Sequence, residues 1–361
     1  MINIARPLIG QEEKDAVLKV MDSGMIACGQ TVSYFEKEFA KRMGVKNGIA
    51  TTSGTTALEV SLHAMGIGFG DKVITTAYSF IASTNSILYV GATPVFVDID
   101  VRTFNISIDG IRMALQEHPD AKALLVVHLF GQACDMNKIM ELAKEFNVKV
   151  IEDCAQAHDA EWDGRKVGSF GDVAAYSFYP TKNMTTGEGG MVLTNNEEIA
   201  ENARLLINHG MKIRYQHEKI GYNYRMTNIA AAIGLEQLKK LDNFNEGRRK
   251  NAEYYNNNLI NPLIDIPFVS NNAKHVYHQY TIKIKKEKRD ALIKLLEDNQ
   301  IGYGVFYPFS IPEQPAYAGM GFKTEWETTD VVKKQVISIP VLPSLMEEEI
   351  RTIVAVLNDL E

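Results

Sequence analysis

Cysteine is scarce in this chain: there are three among 361 residues, at positions 28, 134 and 154. They lie far apart without metal-ligand spacing, which excludes a disulfide framework and points to a reducing compartment. No apolar run approaches the roughly 20 residues a membrane-spanning helix needs. The start, Met1-Ile-Asn-Ile-Ala-Arg-Pro7, lacks the basic opening and apolar stretch of a secretion signal, so a cytoplasmic location is expected. Charge of one sign is nowhere concentrated. The net charge of -7 is spread along the chain, which argues against nucleic acid as the main partner. His128, His158, His209, His275 and His278 are dispersed, and no metal site is expected. The dinucleotide fingerprint G-x-G-x-x-G is also missing. Its nearest approach, Gly66-Ile-Gly68-Phe-Gly-Asp71, follows a helix and carries aspartate where the third glycine belongs, which disfavours a nicotinamide-dependent oxidoreductase.

What is present is the composition of an ordinary globular protein, 45% hydrophobic and 23% charged, long enough for two domains. Gln11 to Met21 reads as a helix, and Val32, Phe35 and Phe39 mark a second that ends near Gly44. Strand and helix signals then alternate. Strands are expected at Gly48–Thr52, Lys72–Thr76, Val95–Asp98, Ala123–Val127, Val148–Asp153, Asp172–Tyr176 and Met191–Leu193. Helices are expected after Gly54, over Phe80–Val90, Asp109–Glu117 and Lys138–Phe146, and around Ile199–Leu206. This alternation predicts a mainly parallel sheet covered by helices on both faces. Met211–Lys219 reads as a polar loop, followed by a long helix from Ile229 towards Asn258. A boundary near Leu241 separates a large domain, residues 1–240, from a smaller α+β domain, residues 241–361. The latter holds a strand at Tyr280–Ile284, a helix at Arg289–Leu296 and a last helix capped by Ser344 with Glu347.

Chemistry concentrates at predicted strand ends, where such sheets gather ligands. The turn Ser53-Gly54-Thr55-Thr56 leads from a strand into a helix, and free N–H groups at a helix N-terminus seat phosphates; threonine also caps helices for structural reasons. Asp153 closes an apolar strand, as a loop cap or as the carboxylate that keeps a pyridine nitrogen protonated. Phe80 either stacks on a ring or packs in the core. Lys182 stands alone among small and glycine residues between two apolar strands. It is either a solvated loop lysine or a partly desolvated amine suited to Schiff-base chemistry. A phosphate seat, a strand-end carboxylate and a loop lysine, in that order, are the three grips that pyridoxal 5'-phosphate (PLP) needs. The runs His275–Tyr280 and Tyr303–Tyr307 border a sugar pocket or serve domain packing.

With these pieces in order, the sequence resembles the DegT/DnrJ/EryC1/StrS sugar aminotransferases over nearly its whole length. The resemblance is carried by Thr52-Ser-Gly-Thr-Thr-Ala57, Ser79-Phe-Ile-Ala-Ser-Thr84, Gly91-Ala-Thr-Pro-Val-Phe-Val-Asp98 and His128-Leu-Phe-Gly-Gln132. It continues through Glu152-Asp-Cys-Ala-Gln156, Ser177-Phe with Lys182-Asn, Thr186-Gly-Glu-Gly-Gly190 and Gly221-Tyr-Asn-Tyr-Arg-Met226. It implies an α/β fold of the PLP-dependent transferase fold type I and a set of roles. Lys182 would hold PLP covalently and shuttle protons, Asp153 would pair with the pyridine nitrogen, and Gln156 would contact the ring or its 3-hydroxyl. Gly54, Thr55 and Thr56 would seat the phosphate with the Ser177 hydroxyl, and Phe80 would stack on the ring. Asn223 would reach the phosphate of a neighbouring subunit, because family sites lie at a dimer interface. The implied reaction moves an amino group from L-glutamate to C3 or C4 of a nucleotide-linked ketosugar. A keto-cyclitol acceptor, or a PLP-holding regulator without turnover, is the alternative. Some members carry histidine in place of the lysine and act as dehydratases; Lys182 disfavours that branch.

Overall fold

Apolar residues at helical spacing form α1 (Gln11–Asp22) and α2 (Gln30–Met43) close to the expected bounds, and α2 stops at Gly44, whose φ of 75° is left-handed. The computed structural model describes residues 1–361, the side chain of Lys286 excepted. The strands β1 (Asn47–Thr51), β2 (Lys72–Thr76), β3 (Thr93–Val97), β4 (Ala123–Val127) and β5 (Lys149–Asp153) precede a small ribbon of β6 (Glu161–Trp162) and β7 (Arg165–Lys166). Then come β8 (Val173–Ser177) and β9 (Gly190–Thr194). Seven of these make one sheet in the order β1-β9-β8-β5-β4-β2-β3. Only β9 breaks the parallel run, pairing antiparallel with both β1 and β8.

Neighbouring residues on each strand feed opposite cores, as a two-residue repeat requires. Ile74, Leu124 and Val150 pack with Phe35 and Phe39 of α2 and with Ile139 and Leu142 of α6 (Met136–Phe146), while α5 (Ile108–Glu117) adds Ile111. Val73, Leu125 and Ile151 face the other way. They meet Leu58 and Leu62 of α3 (Gly54–Ala64), Ile87 of α4 (Ala82–Tyr89) and Ala203 of α7 (Glu197–Ile207). Helix α4 starts two residues later than expected, which leaves Phe80 in the turn before it.

The expected loop at 211–219 is instead a small hairpin, β10 (Met211–Ile213) with β11 (Gln216–His217). Helix α8 (Asn228–Asn258) runs unbroken through residues 240 and 241. Leu238 and Leu241 join the first core, and Ala252 and Tyr255 join a third. That third core belongs to the C-terminal unit. Its sheet is β12 (Ile264–Asp265), β14 (Tyr280–Ile284) and β15 (Val336–Ile339), while β13 (Ala273–Lys274) pairs with β6. Helices α9 (Arg289–Asp298), α10 (Thr329–Val332) and α11 (Glu347–Asn358) complete it. Ser344 does not cap α11. It lies in a turn closed by Leu345 N–H on Leu342 C=O at 3.2 Å, and the Glu349 carboxylate takes the Met346 N–H at 2.8 Å. Among the described residues no helix is long and apolar enough to cross a membrane.

Candidate active site

The carboxyl ends of β1, β5 and β8 open into a cavity of about 420 Å³ that contains Lys182, Asp153, Gln156, Ser177, Phe80, Gly54 and Thr55 in its wall. One side of the cavity is the first turn of α3. Ser53 is the N-cap, and its hydroxyl accepts the Thr56 N–H at 3.2 Å. The Thr56 hydroxyl in turn donates to Ser53 C=O at 2.9 Å and receives the Ser53 N–H at 3.0 Å. Of the residues expected to seat a phosphate, Gly54 and Thr55 therefore face the cavity, while the Thr56 hydroxyl is engaged in capping. The N–H groups of Gly54 and Thr55, first in the helix, have no acceptor within it and carry the positive end of its dipole. Glycine at 54 is a steric requirement, since a Cβ there would lie 2.6 Å from Ser177 Cβ.

Asp153 sits at the floor. Its carboxylate accepts the Ala155 N–H at 3.1 Å and the Ser83 hydroxyl at 2.8 Å. Burial pushes its pKa up, and these two hydrogen bonds and the Lys182 charge pull it partly back. Lys182 is held by its own N–H on Tyr179 C=O at 2.9 Å. The loop beyond it is fastened by Thr185 Oγ1 and Thr186 N–H, both on Phe178 C=O. Lys182 is half-buried and lines the cavity. Burial brings its amine down to about 8, against the opposing pull of Asp153. An amine with that proton affinity is a competent nucleophile near neutral pH.

Gln156 has a fixed orientation. Phe130 N–H donates to its Oε1 at 2.8 Å, so Nε2 is directed to the Tyr307 hydroxyl at 3.1 Å. The exposed Phe80 ring lies 6.2 Å from the ring of Tyr307, centre to centre. His278 and Tyr307 also line the cavity. Both lie in the runs His275–Tyr280 and Tyr303–Tyr307, expected to border a sugar pocket or to serve domain packing; neither was assigned to the site, because both arrive from the C-terminal unit more than 90 residues after Lys182. Asn223 stands elsewhere. It is exposed, its side-chain oxygen accepts Arg225 Nε–H at 3.0 Å, and it does not line the cavity of its own chain.

Beneath Asp153, the buried His128, Glu152 and Cys154 come within 4.8 Å of one another. The Glu152 carboxylate takes N–H groups from Gly168, Phe170 and Gly171 at 2.7, 2.8 and 2.7 Å and faces His128 Nε2 at 3.1 Å. Cys134 N–H occupies His128 Nδ1 at 3.0 Å, so the ring carries its proton on Nε2. Protein donors thus fill these acceptors, and the network anchors the backbone beside Asp153 instead of presenting ligands to a metal.

A family model described as the DegT/DnrJ/EryC1/StrS aminotransferase family matches residues 7–358. GDP-perosamine synthase of Caulobacter vibrioides is 40% identical over 368 residues, covering 99% of this chain and 98% of that one. Among solved structures, DesV of S. venezuelae superposes with a TM-score of 0.93 at 34% identity, over 97% of this chain and 94% of that one. Spr1654 of Streptococcus pneumoniae, solved in a PLP form, gives a TM-score of 0.91 at 26% identity, over 99% of this chain and 98% of that one.

Proposed function

The chain belongs to the DegT/DnrJ/EryC1/StrS aminotransferase family, and from that premise we propose that it transfers an amino group from L-glutamate to C3 or C4 of a nucleotide-linked ketosugar, with PLP as carrier. The product would serve surface polysaccharide or glycoconjugate synthesis in the cytoplasm. The single observation that carries this reading is the pairing, in one cavity, of a buried amine brought down to about 8 with a buried strand-end carboxylate.

The residues fit PLP. The α3 N-terminus offers free N–H groups and no Cβ at Gly54, which suits a phosphate. The buried Asp153, whose pKa burial raises, suits a protonated pyridine nitrogen. Bound PLP supplies a carbonyl to capture the amino group and a ring that withdraws electrons from the reacting carbon. Lys182 Nζ would hold the cofactor and, when free, would carry a proton to or from the reacting carbon. Asp153 would keep the pyridine nitrogen charged, and Ser83 and the Ala155 N–H hold that carboxylate in place. Ser177 and Thr55 would steady the phosphate end, and Phe80 would cover the ring.

Reconstitution with PLP followed by addition of L-glutamate tests the reading. The visible band of the bound cofactor should disappear on a single turnover and return when a nucleotide-linked 3-keto or 4-keto deoxysugar is added. A band that returns with a keto-cyclitol and with no sugar nucleotide would replace the proposed acceptor. No response to any amino donor would leave a PLP-binding protein without transaminase activity.

A further inference from the structure

The Tyr307 hydroxyl has a proton without an acceptor among the described residues. Its oxygen receives Gln156 Nε2–H at 3.1 Å, and the Gln156 amide cannot turn over without placing Nε2–H against the Phe130 N–H. Tyr307 is held firmly. Its backbone N–H donates to the hydroxyl of Tyr78 at 2.7 Å, and that buried hydroxyl donates onward to Phe306 C=O at 2.9 Å. On one side Gly304 pairs with Ser338, and on the other Ile311 N–H reaches Ala77 C=O at 2.8 Å. The C-terminal segment is therefore fastened to the end of the main sheet with the Tyr307 ring at the cavity wall. Burial keeps the phenol protonated far above neutral pH.

The cavity has two kinds of wall. The strand ends and α3 provide Lys182, Asp153 and the anion-seating N–H groups, whereas the C-terminal segment provides His278, Gln279 and Tyr307. A neutral phenolic donor on the second wall matches an uncharged oxygen, and a sugar presents several. We propose that Tyr307 is a specificity-determining residue that donates its hydroxyl proton to a sugar hydroxyl oxygen next to the keto carbon. This rests on the ketosugar reading above. It explains how one cavity can serve an amino acid, which has no such hydroxyl, and a sugar by different contacts.

The test compares wild type with Tyr307→Phe on the intact ketosugar and on analogues lacking one hydroxyl each, measured as kcat/KM of the sugar half-reaction. In wild type, removing the recognised hydroxyl should cost ~10–100-fold, the scale for leaving a buried hydrogen-bonding group unpaired. In Tyr307→Phe the same analogue and the intact sugar should differ by less than about threefold, since neither has a partner to lose. The glutamate half-reaction of the variant should fall at least tenfold less than its sugar half-reaction. Tyr307→Met, also without a hydroxyl, repeats the comparison in case the phenylalanine ring repacks. Equal losses for every analogue in wild type and both variants would overturn the proposal. So would a variant whose two half-reactions slow equally, because Tyr307 would then act through Gln156 on the cofactor. A wild-type protein that accepts glutamate and aminates no ketosugar defeats the substrate reading itself, and the Tyr307 assignment with it.

Discussion

At the scale of single residues, Asp153 and Lys182, which the structure brings to one cavity, each belong to a local pattern in the sequence. Asp153 ends an apolar strand, and Lys182 is the one cation between two such strands. For Tyr307 and His278 the sequence left pocket border and domain packing undecided, since only the packing of the C-terminal unit brings them to the cavity. The lysine carries the sharpest prediction. Lys182→Ala should abolish turnover and remove the visible band, with full transaminase activity in that variant contradicting its role. In the wild type, burial lowers the amine from its ordinary value to about 8, so the neutral, nucleophilic fraction grows as pH rises through that value. The rate at which apoprotein and PLP form the visible band should therefore climb up to pH near 8 and level off above it. A climb continuing to pH 10 in stopped-flow traces would show an amine that the fold does not perturb. Asp153→Asn tests the other group. The amide oxygen can keep the Ala155 N–H, and the Ser83 hydroxyl can rotate to accept from the new NH₂, so the shape survives. The charge does not, and catalysis should fall far more than PLP affinity, with each tenfold loss in rate equal to about 1.4 kcal/mol of barrier. An unchanged rate for the glutamate half-reaction would mean that another group faces the ring nitrogen.

At the scale of elements, strong periodicity gave the strands and helices to within a few residues, and weak periodicity failed. The hairpin at 211–217 has strands of three and two residues, too short for any alternation to be seen. The cap of α11 moved from Ser344 to Met346 because a turn claimed the serine, and an acidic stretch offered Glu349 as well as Glu347. The start of α3 was left open between a phosphate seat and a threonine cap; the N-cap is Ser53, and geometry decides that Thr56, not Thr55, closes the capping box. This element also yields a prediction. Gly54→Ala puts a methyl group 2.6 Å from Ser177 Cβ, so the helix must move away from β8. The substitution favours an isolated helix by about 0.5–1 kcal/mol, so a loss of function could not be blamed on helix propensity. PLP affinity, measured by equilibrium dialysis, should weaken by roughly tenfold, a misplacement worth about 1.4 kcal/mol. Wild-type affinity in Gly54→Ala would remove the α3 N-terminus from the phosphate seat.

At the scale of the whole molecule, the expected domain boundary falls inside α8, a single helix that joins two cores and ties the units that face each other across the cavity. The periodicity already carried this helix from Ile229 towards Asn258, across the expected boundary. The same scale governs Asn223. Within its own chain it is exposed, bonded to Arg225, and absent from the cavity wall, so any contact with a bound phosphate has to be made in another copy. The segment is well placed to be held out in this way. Asn208 and Asn223 form a bridge, as do Thr51 and Arg225, so the segment is anchored to the end of β1. A phosphate dianion already seated on a helix N-terminus gains from a further donor, and an interface supplies one while excluding water. We propose a homodimer with shared sites on this basis. Lys182→Ala and Asn223→Asp should each be inactive alone, the second because it sets a carboxylate against the phosphate. A mixed dimer then holds one site with both lesions and one with neither. Mixing the two variants should restore activity, up to half of wild type per mixed dimer. If mixed dimers form, Asn223→Asp alone is inactive, and mixing restores nothing, then Asn223 does not act across the interface and the shared-site proposal at this position is wrong.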